Sequence, residues 1–482
     1  MVRAVLSFRV LLAAGLVTVY LLTITNRFND PDLWFHLKLG EVVWNTHSIP
    51  TTELFSHTAF GYPWTAHEWL GQLSIYTAYH IAGLPGLMAW LATCGSLLFA
   101  LVYILCYQYS RNALPAFLGG MFAWFFGSVG FAIRPHLLGY TFLVVELLVI
   151  ELAGRRRRWL WLLPFLFAVW VNVHGSYVFG IGLLAAFWVS ALWDGSWKWC
   201  GFKQWDGLSP VFIGVILGLC CAALCLNPVG PRLLLYPFNV AFRQSTSLAA
   251  IYEWQPPALD DLRTLGMLAA VMAVVAAVLL KRIGLRLRDL LFVGMATAMA
   301  GRHVRMLFVF GIVMSPLLAR LSASLLREDG KREFPIANAI LMCALGITIL
   351  SFYPGAAELE AQVQQNTPSQ AVAFVRQSNL SGAMLNDYAF GGYLIWALPD
   401  HKVFVDGRGD VFDWTGVLKE FGRWATLAED PHLLLDKYHI GFCVLSRKSP
   451  LTHVLPYLPG WQAAYSDDVA SVFVRQQPVR SD

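Results

Sequence analysis

The stretch Asn29-Asp30-Pro31-Asp32-Leu33-Trp34-Phe35-His36-Leu37 follows directly on the first hydrophobic segment and places two carboxylates and an imidazole at a predicted membrane surface. Charged groups in such a position are energetically costly and usually functional. A carboxylate pair can bind a divalent cation or accept a proton from a reacting hydroxyl group. We predict that Asp30 is the catalytic carboxylate. Asp32 suits either the same catalytic site or the cap of the helix that follows.

The composition is typical of a polytopic membrane protein. Of the 482 residues, 57% are hydrophobic and only 13% are charged, whereas about a quarter of a soluble chain is charged. Windows of about twenty apolar residues predict about eleven spanning helices. They cover 5–25, 84–108, 114–132, 135–154, 159–175, 177–194, 208–227, 265–281, 289–304, 306–326 and 334–353. We expect the first to be an uncleaved helix, since no small-residue cleavage site follows it. The eight cysteines show neither a disulfide framework nor a zinc spacing.

Basic residues predict the orientation of these helices. With a cytoplasmic N-terminus, every inner loop is rich in arginine or lysine, including the run from Arg155 to Arg158, as the positive-inside rule requires. An odd number of helices then puts the segment 354–482 on the outer side. We therefore expect a multi-pass protein of the plasma membrane, the bacterial inner membrane, with an extracytoplasmic C-terminal domain. The net charge of +5 lies mostly in these loops, so it indicates topology and not nucleic-acid binding.

The predicted outer loops carry a different set of ionisable residues. The first, 26–83, is long and includes two predicted interfacial helices, 33–43 and 68–80. Later loops turn at Arg134-Pro135-His136, at Asn172-Val173-His174-Gly175 and at Arg302-His303-Val304-Arg305. The loop 228–264 adds Arg232, Tyr236, Arg243 and Glu253. Because arginine, histidine and carboxylate groups gather at tight turns on one side, we predict an active site at the outer leaflet.

Outer arginines have a definite chemistry available, because the guanidinium fork matches the oxygens of a phosphate. The candidates for binding a donor phosphate are Arg134, Arg232, Arg243, Arg302 and Arg305. Each could instead contact lipid headgroups or pair with the C-terminal domain. Glu253 is a candidate second catalytic acid, with a loop salt bridge as the alternative. His174 suits either substrate binding or a structural turn, and His36 and His67 lack the spacing of metalloprotease ligands.

The segment 354–482 is predicted to be a small soluble α/β domain. Strands are expected at 402–405, 442–445 and 470–474, and helices at 371–377, 417–427 and 431–438. Two polar stretches, Asn386-Asp387-Tyr388 and Val405-Asp406-Gly407-Arg408-Gly409-Asp410, are each typical of a turn. Together they predict a binding loop that faces the membrane cavity.

The chain resembles the GT-C superfamily of polyprenyl-phosphate-dependent glycosyltransferases, polytopic enzymes with a catalytic aspartate in a long first outer loop. Asp30-Pro31 followed by Trp34-Phe35-His36 is similar to the first-loop signature of the oligosaccharyltransferase catalytic subunit, where the aspartate helps to hold a divalent cation. The stretch 386–393 is similar to the acceptor motif of that family. Residues 29–70, with Trp64, His67, Glu68 and Trp69, also resemble a group of bacterial membrane proteins described only as glycosyltransferases.

Two departures from the oligosaccharyltransferase pattern bear on the metal. That family carries a second acidic metal motif in the second outer loop, where this chain reads Arg134-Pro135-His136-Leu137 without an acid. The two aromatic residues that open the acceptor motif are replaced by Leu385 and Asn386. The resemblance therefore leaves two mechanisms open. Asp30 either holds a divalent cation, Mg²⁺ or Mn²⁺, or acts alone as a base.

The sequence thus predicts an α-helical polytopic membrane domain, 1–353, of GT-C type, followed by a small soluble α/β domain, 354–482. The expected activity is inverting transfer of a sugar from a polyprenyl phosphate or pyrophosphate to a hydroxyl or amide of a glycan, lipid or protein. We expect donor or acceptor to contact His36, His67, Glu68, His174, Asp387, Tyr388, Asp406 and Arg408. The alternatives are oligosaccharyl transfer to protein, and a transporter or flippase of lipid-linked intermediates.

Overall fold

The computed structural model describes residues 5–193, 208–236, 252–280, 285–326 and 334–476. In the membrane part, α1 is Phe8–Thr23, α2 Leu33–Thr46, α3 Trp69–Ser110, α4 Ala113–Gly127, α5 His136–Ala153 and α6 Leu162–Val173. These are followed by α7 Tyr177–Leu192, α8 Pro210–Ala223, α9 Leu262–Leu279, α10 Leu287–Ala300, α11 Leu307–Leu325 and α12 Pro335–Phe352. Short 3-10 turns lie at Arg157–Trp161, Gly230–Leu235, Tyr252–Trp254 and Val304–Met306.

Each of the eleven predicted spans coincides with one of these helices. The remaining helix, α2, corresponds to the first predicted interfacial helix. Five segments of the described chain are long and apolar enough to cross a membrane: α3, α5, α9, Val304–Leu325 and α12. Shorter apolar helices are α1, α4, α7 and α8. The fold is therefore that of a membrane protein, and the full number of spans stays a prediction.

The second predicted interfacial helix and the span after it form the single long helix α3, which is broken at Ala82 and Gly83. Gly83 has a φ of +62°, a conformation that glycine adopts without a steric penalty. Pro85 follows at once and cannot donate a backbone hydrogen bond. The first part of α3 can thus change direction relative to the span, and it packs against α2.

Glycines let the membrane helices approach one another closely, as is usual in membrane interiors. A Cβ atom on Gly119 of α4 would lie 2.8 Å from the carbonyl oxygen of Ser315 in α11. One on Gly127 would lie 2.5 Å from the ring of Phe308. Helix α11 is buried without a break from Leu307 to Leu317, so its first part lies at the centre of the bundle.

The C-terminal part begins with helices α13 Ala356–Asn366 and α14 Ser369–Ser378 and contains a four-stranded sheet. The strands are β1 Ala383–Asn386, β2 Ile440–Ser446, β3 Trp461–Ser466 and β4 Ala470–Arg475, in the order β1-β2-β4-β3. Strand β1 is parallel to β2, and the other pairs are antiparallel. The remaining helices are α15 Tyr388–Ala397, α16 Gly409–Trp414, α17 Val417–Ala425, α18 Pro431–Lys437 and α19 Pro450–Val454, followed by a 3-10 turn at Leu455–Tyr457.

The predicted strand at 402–405 is wrong, and the predicted strands at 442–445 and 470–474 are confirmed. The residues of 402–405 are extended but pair with the first outer loop instead of joining the sheet. Val403 donates to the Phe55 carbonyl at 3.0 Å, and His57 donates to the Val403 carbonyl at 3.0 Å. Strands β1 and β3 were not predicted. A β-branched run indicates extended backbone, but it does not say which segment will be its partner.

The first loop and the C-terminal part share one hydrophobic core. Phe35, Leu39, Ala59, Trp64 and Ala66 are buried together with residues of the sheet and of α15 and α17. Helix α15 lies against α2, where a Cβ atom on Gly392 would be 2.4 Å from the Pro31 carbonyl oxygen. The C-terminal part is therefore packed directly onto the stretch that contains Asp30 and Asp32.

Candidate active site

Asp30 and Asp32 are held by a single guanidinium group. Arg134 precedes α5, and its Nε lies 2.6 Å from Asp30 Oδ2 while its Nη2 donates to Asp30 Oδ1. Its Nη1 lies 2.8 Å from Asp32 Oδ2. The backbone N–H of Asp32 also donates to Asp30 Oδ1, at 3.1 Å. Both oxygens of Asp30 are thus hydrogen-bonded, whereas Asp32 makes one contact with Arg134.

Asp32 does not cap α2. It occupies the cap position, but its side chain accepts no hydrogen bond from the first turn of the helix, because the carboxylate turns to Arg134 instead. Gly407 of the C-terminal part closes over it, since a Cβ atom there would lie 1.9 Å from Asp32 Oδ1. Burial raises the pKa of Asp32 to about 7, since the opposing effect of Arg134 is smaller and Asp30, Glu253 and Asp406 add repulsion.

A second group of side chains surrounds Glu68, which lies just before α3. Its carboxylate oxygens are 3.3 Å from His174 Nε2, 3.8 Å from His67 Nε2 and 3.9 Å from His36 Nδ1. Burial lowers the pKa of His36 and His174 well below the ordinary value of histidine. Burial also raises the pKa of Glu68. The imidazoles of His36 and His174 are therefore neutral at pH 7 and act as polar, uncharged neighbours of Glu68.

Glu253 joins the two groups. Its Oε1 is 4.0 Å from Arg134 Nη1, and its Oε2 is 3.8 Å from Arg305 Nη1. Arg305 Nη2 lies 3.5 Å from His174 Nε2. The Glu253 side chain is 46% exposed, so this carboxylate lies between two guanidinium groups at the open side of the site. A continuous polar network thus runs from Asp30 to Glu68, and we call it the outer network.

The outer network contains side chains from the first loop, from three helix turns and from the loop before α9. Their sequence positions are Asp30, Asp32, His36, His67 and Glu68, then Arg134, His174, Glu253 and Arg305. The structure thus brings together the turns that the sequence analysis expected to converge. Arg232 and Arg302 are exposed, and within the described residues no contact links them to the outer network. Arg243 lies outside the described residues.

Asp406 and Arg408 are not part of the outer network. Arg408 Nε is 2.8 Å from Asp406 Oδ1, and its Nη2 is 3.1 Å from Glu53 Oε1. All three side chains are at most 2% exposed. These charges compensate one another inside the protein, so the structure gives Asp406 and Arg408 a role in joining the first loop to the C-terminal part. The sequence analysis expected these two residues to contact donor or acceptor, but their side chains are buried in this ion-pair cluster.

Asn386 and Asp387 also make structural contacts, whereas Tyr388 is half-buried. Asn386 is buried, and its side chain binds the backbone of Phe404 and Val405. Asp387 accepts a hydrogen bond from the Ser446 backbone, and burial raises its pKa to about 6. Asp410 ends the second predicted polar stretch but was not named individually as a site residue, and its Oδ2 accepts hydrogen bonds from Tyr236 and Trp64, each at 3.0 Å. Its place in an acidic loop was the only signal in the sequence.

Comparison with solved structures finds 16 chains with a similar architecture, and they include the two proteins that follow. The archaeal oligosaccharyltransferase AglB from Archaeoglobus fulgidus, in complex with an inhibitory peptide and a dolichol-phosphate, has a TM-score of 0.54 and 13% identity over 91% of this chain and 69% of its own. ArnT from Cupriavidus metallidurans, bound to undecaprenyl phosphate, has a TM-score of 0.51 and 12% identity. The match covers 96% of this chain and 97% of ArnT. Its apo form gives a TM-score of 0.52. No family model and no curated protein matches the sequence.

This chain has the GT-C fold. The likeness to ArnT extends over nearly the full length of both chains, so it includes the C-terminal part as well as the bundle. At 12–13% identity the likeness establishes the fold alone. The GT-C fold predicted from the first loop is confirmed.

The residues of the outer network do not fit the divalent cation that the oligosaccharyltransferase resemblance implies. Such an ion takes carboxylate oxygens as ligands, but both oxygens of Asp30 accept hydrogen bonds from Arg134. The second outer loop, which would provide further acids, provides Arg134 itself. Over the described parts of the chain, no group of three or more His, Cys, Asp or Glu side chains has an arrangement suited to a metal.

Proposed function

We propose that this protein transfers a sugar from a polyprenyl phosphate or pyrophosphate to an acceptor hydroxyl or amide at the outer face of the membrane, with inversion. The observation that carries the proposal is the outer network, in which a carboxylate pair and two arginines meet beneath the first loop of a GT-C fold. AglB and ArnT, which share this fold, were each solved with a polyprenyl phosphate, and this supports a donor of that class.

In the proposed reaction the acceptor oxygen or nitrogen attacks the anomeric carbon, and the bond from that carbon to the phosphate oxygen breaks. The electron pair leaves with the phosphate, and the acceptor proton passes to a carboxylate. We assign the proton to Asp32, because only one of its oxygens contacts Arg134 and its pKa of about 7 suits a general base near neutral pH. Asp30 orients the pair, because both its oxygens are engaged. This reverses the roles expected from the sequence.

We assign the donor phosphate to the space beside Arg305 and Arg134. These two guanidinium groups already flank one carboxylate, that of Glu253, at 3.8 and 4.0 Å. A phosphate has the charge and the oxygen geometry to take its place, and the two arginines would stabilise the charge that develops on the leaving group. The side chains of Glu68, His36, His67 and His174 would then face the sugar or the acceptor. The predicted roles of Arg232, Arg243 and Arg302 have no such support.

The direct test is transfer of radiolabelled sugar from synthetic polyprenyl-phosphate donors by the purified protein in lipid nanodiscs. We expect Asp32→Asn to lower kcat about a hundredfold or more, because general base catalysis contributes that much. We expect Arg305→Gln to raise the donor KM about tenfold to a hundredfold, since a hydrogen bond to a charged group contributes about 1.5–3 kcal/mol. Arg263→Gln is the matched control, because the Arg263 side chain donates to the Phe125 carbonyl and to Ser128 and forms no ion pair among the described residues.

Two results would contradict the proposal. Undiminished transfer by both Asp30→Asn and Asp32→Asn would remove the carboxylate pair from catalysis. Binding of lipid-linked sugar without transfer by the wild type would favour the flippase alternative. Transfer to a peptide amide and not to a hydroxyl would identify the oligosaccharyltransferase alternative.

A further inference from the structure

We propose that Arg134 is the permanent cation of this site and holds Asp30 and Asp32 together as a divalent ion would, so that removing it uncovers a divalent-cation site. The part that concerns transfer rests on the proposed function above. The part that concerns cation binding does not.

The first argument is the geometry of the guanidinium group. Three of its nitrogen atoms point at the carboxylate pair, with Nε 2.6 Å from Asp30 and Nη1 2.8 Å from Asp32. An ion that bridges two carboxylates would occupy the same space between them. The Asp30 side chain is 6% exposed and that of Arg134 is 18% exposed, so water contributes little to neutralising the acids. Arg134 therefore has the position and the charge of a bridging cation.

The second argument is the way in which Arg134 is positioned. Pro135 follows it immediately at the start of α5. Gly71 of α3 lies against the proline, since a Cβ atom on Gly71 would be 2.7 Å from Pro135 Cβ and 3.0 Å from the Val173 carbonyl. The turn that carries Arg134 is thus packed between α3 and the end of α6. A side chain that is anchored in this way is part of the site and not a mobile surface group.

The third argument concerns what remains when the guanidinium is removed. Three carboxylates now contact Arg134: Asp30, Asp32 and Glu253. Without it they would face one another across a space that is open at Glu253, and their negative charges would no longer be offset by Arg134. Carboxylate oxygens are the ligands that Mg²⁺ and Mn²⁺ prefer. The variant Arg134→Ala should therefore bind a divalent ion that the wild type does not.

The test measures Mn²⁺ binding to the full-length protein in nanodiscs by the loss of the electron paramagnetic resonance signal of free Mn²⁺. We expect Arg134→Ala to bind one Mn²⁺ at least tenfold more tightly than the wild type. The double variant Arg134→Ala with Asp30→Asn should lose this binding, which locates the ion. Arg263→Ala is the control, because it removes an outer arginine without freeing a carboxylate, and it should bind Mn²⁺ as the wild type does.

A folded Arg134→Ala variant that gains no Mn²⁺ binding would overturn the inference. So would tight Mn²⁺ binding by the wild type that disappears in Asp30→Asn, a measurement that needs no Arg134 variant. If Arg134→Ala does not fold, Arg134→Gln keeps much of the side-chain volume without the charge and is measured in the same way. Sugar transfer is assayed in parallel with and without EDTA. A gain of Mn²⁺ binding with no transfer by any form would support the cation role while contradicting the proposed function.

Discussion

At the scale of single residues, two aspartates separated by one proline have different environments. Arg134 donates to both oxygens of the Asp30 carboxylate. Asp32 contacts the same arginine through one oxygen, and Gly407 packs against it. Two carboxylates with such different contacts can divide the work of positioning and proton transfer between them.

The first prediction is the pH dependence of transfer. The pKa of Asp32 is raised to about 7, so the basic form is scarce below that pH and predominates above it. We expect kcat/KM to rise about tenfold per pH unit well below pH 7 and to level off above it. The charged groups that face Asp32 are Asp30, Arg134, Glu253 and Asp406.

The control for this profile is Arg263→Gln, which should keep both the slope and the midpoint. In Asp32→Asn the remaining activity should lose the rise near pH 7. A rise that persists unchanged in that variant would assign the titration to another group, and Glu68, whose pKa is also raised, would be the next residue to substitute.

At the scale of elements, the first outer loop and the C-terminal part form one structural unit. The loop pairs with the extended segment at Val403 through backbone hydrogen bonds, and Glu53 forms buried ion pairs with Arg408. The side chain of Thr58 also donates to the Phe404 carbonyl at 2.6 Å. The position of Asp32 therefore depends on how firmly the C-terminal part is attached.

The second prediction concerns the buried ion pair. In Glu53→Gln, Arg408 keeps its ion pair with Asp406 but loses one of its two carboxylate partners in a buried region. Breaking a buried ion pair costs about 3–5 kcal/mol. We expect the free energy of unfolding to fall by about 3 kcal/mol, the lower end of that range. Glu429→Gln is the control, since Glu429 and Arg423 form an exposed pair, and such pairs contribute about 0–1 kcal/mol. Denaturant unfolding followed by tryptophan fluorescence measures both. Equal losses would show that the buried cluster does not join the two parts.

The third prediction concerns the contact between α15 and the first loop. In Gly392→Ala the new methyl group would lie 2.4 Å from the Pro31 carbonyl oxygen, so either α15 or the Asp30-Pro31-Asp32 stretch must move. We expect transfer to fall about tenfold or more, as a displacement of about 1 Å can cause such a loss.

Gly422→Ala in α17 is the matched control for this contact. It adds the same group to a helix at a position with nothing within 4 Å, and it should stabilise that helix by about 0.5–1 kcal/mol. Comparable activity of the two alanine variants would mean that α15 does not position the carboxylates.

At the scale of the whole molecule, α5 separates two clusters of charge. It starts beside Arg134 in the outer network, and near its end Glu151 pairs with Arg286 and with the buried Arg288. The helix has 18 residues, which corresponds to about 27 Å, close to the roughly 30 Å of a bilayer core. The two clusters are therefore suited to opposite membrane surfaces.

The fourth prediction is the orientation of the chain. With the outer network on the extracytoplasmic side, a cysteine at Tyr457, which is 86% exposed in the C-terminal part, should react with a membrane-impermeant maleimide in intact cells. A cysteine at Arg157, in the run of four arginines, should react only after the cells are permeabilised. The wild type measures the background from exposed Cys221 and Cys343. The reverse pattern would place the outer network on the cytoplasmic side.

The sequence by itself determined the membrane class, the helices that correspond to the predicted spans, and the GT-C fold. A hydrophobic run is a property of one segment, and the first-loop resemblance to the GT-C superfamily is carried by the short stretch from Asp30 to His36. Both can be recognised without knowing which distant residues are in contact. For the same reason the turns at Arg134, His174 and Arg305 could be predicted to converge once the helices were counted.

Only the tertiary structure decided which charges compensate one another. Arg134 is 104 residues from Asp30, yet its guanidinium group lies against the carboxylate pair. Asp406 and Arg408, predicted to bind an acceptor, are buried with Glu53, and the segment 402–405 pairs with the first loop instead of the sheet. The energy of an ion pair depends on the distance between its partners and on their desolvation. Both quantities are set by how distant segments pack together, as is the pairing of two extended segments. The sequence of either segment alone does not contain this information.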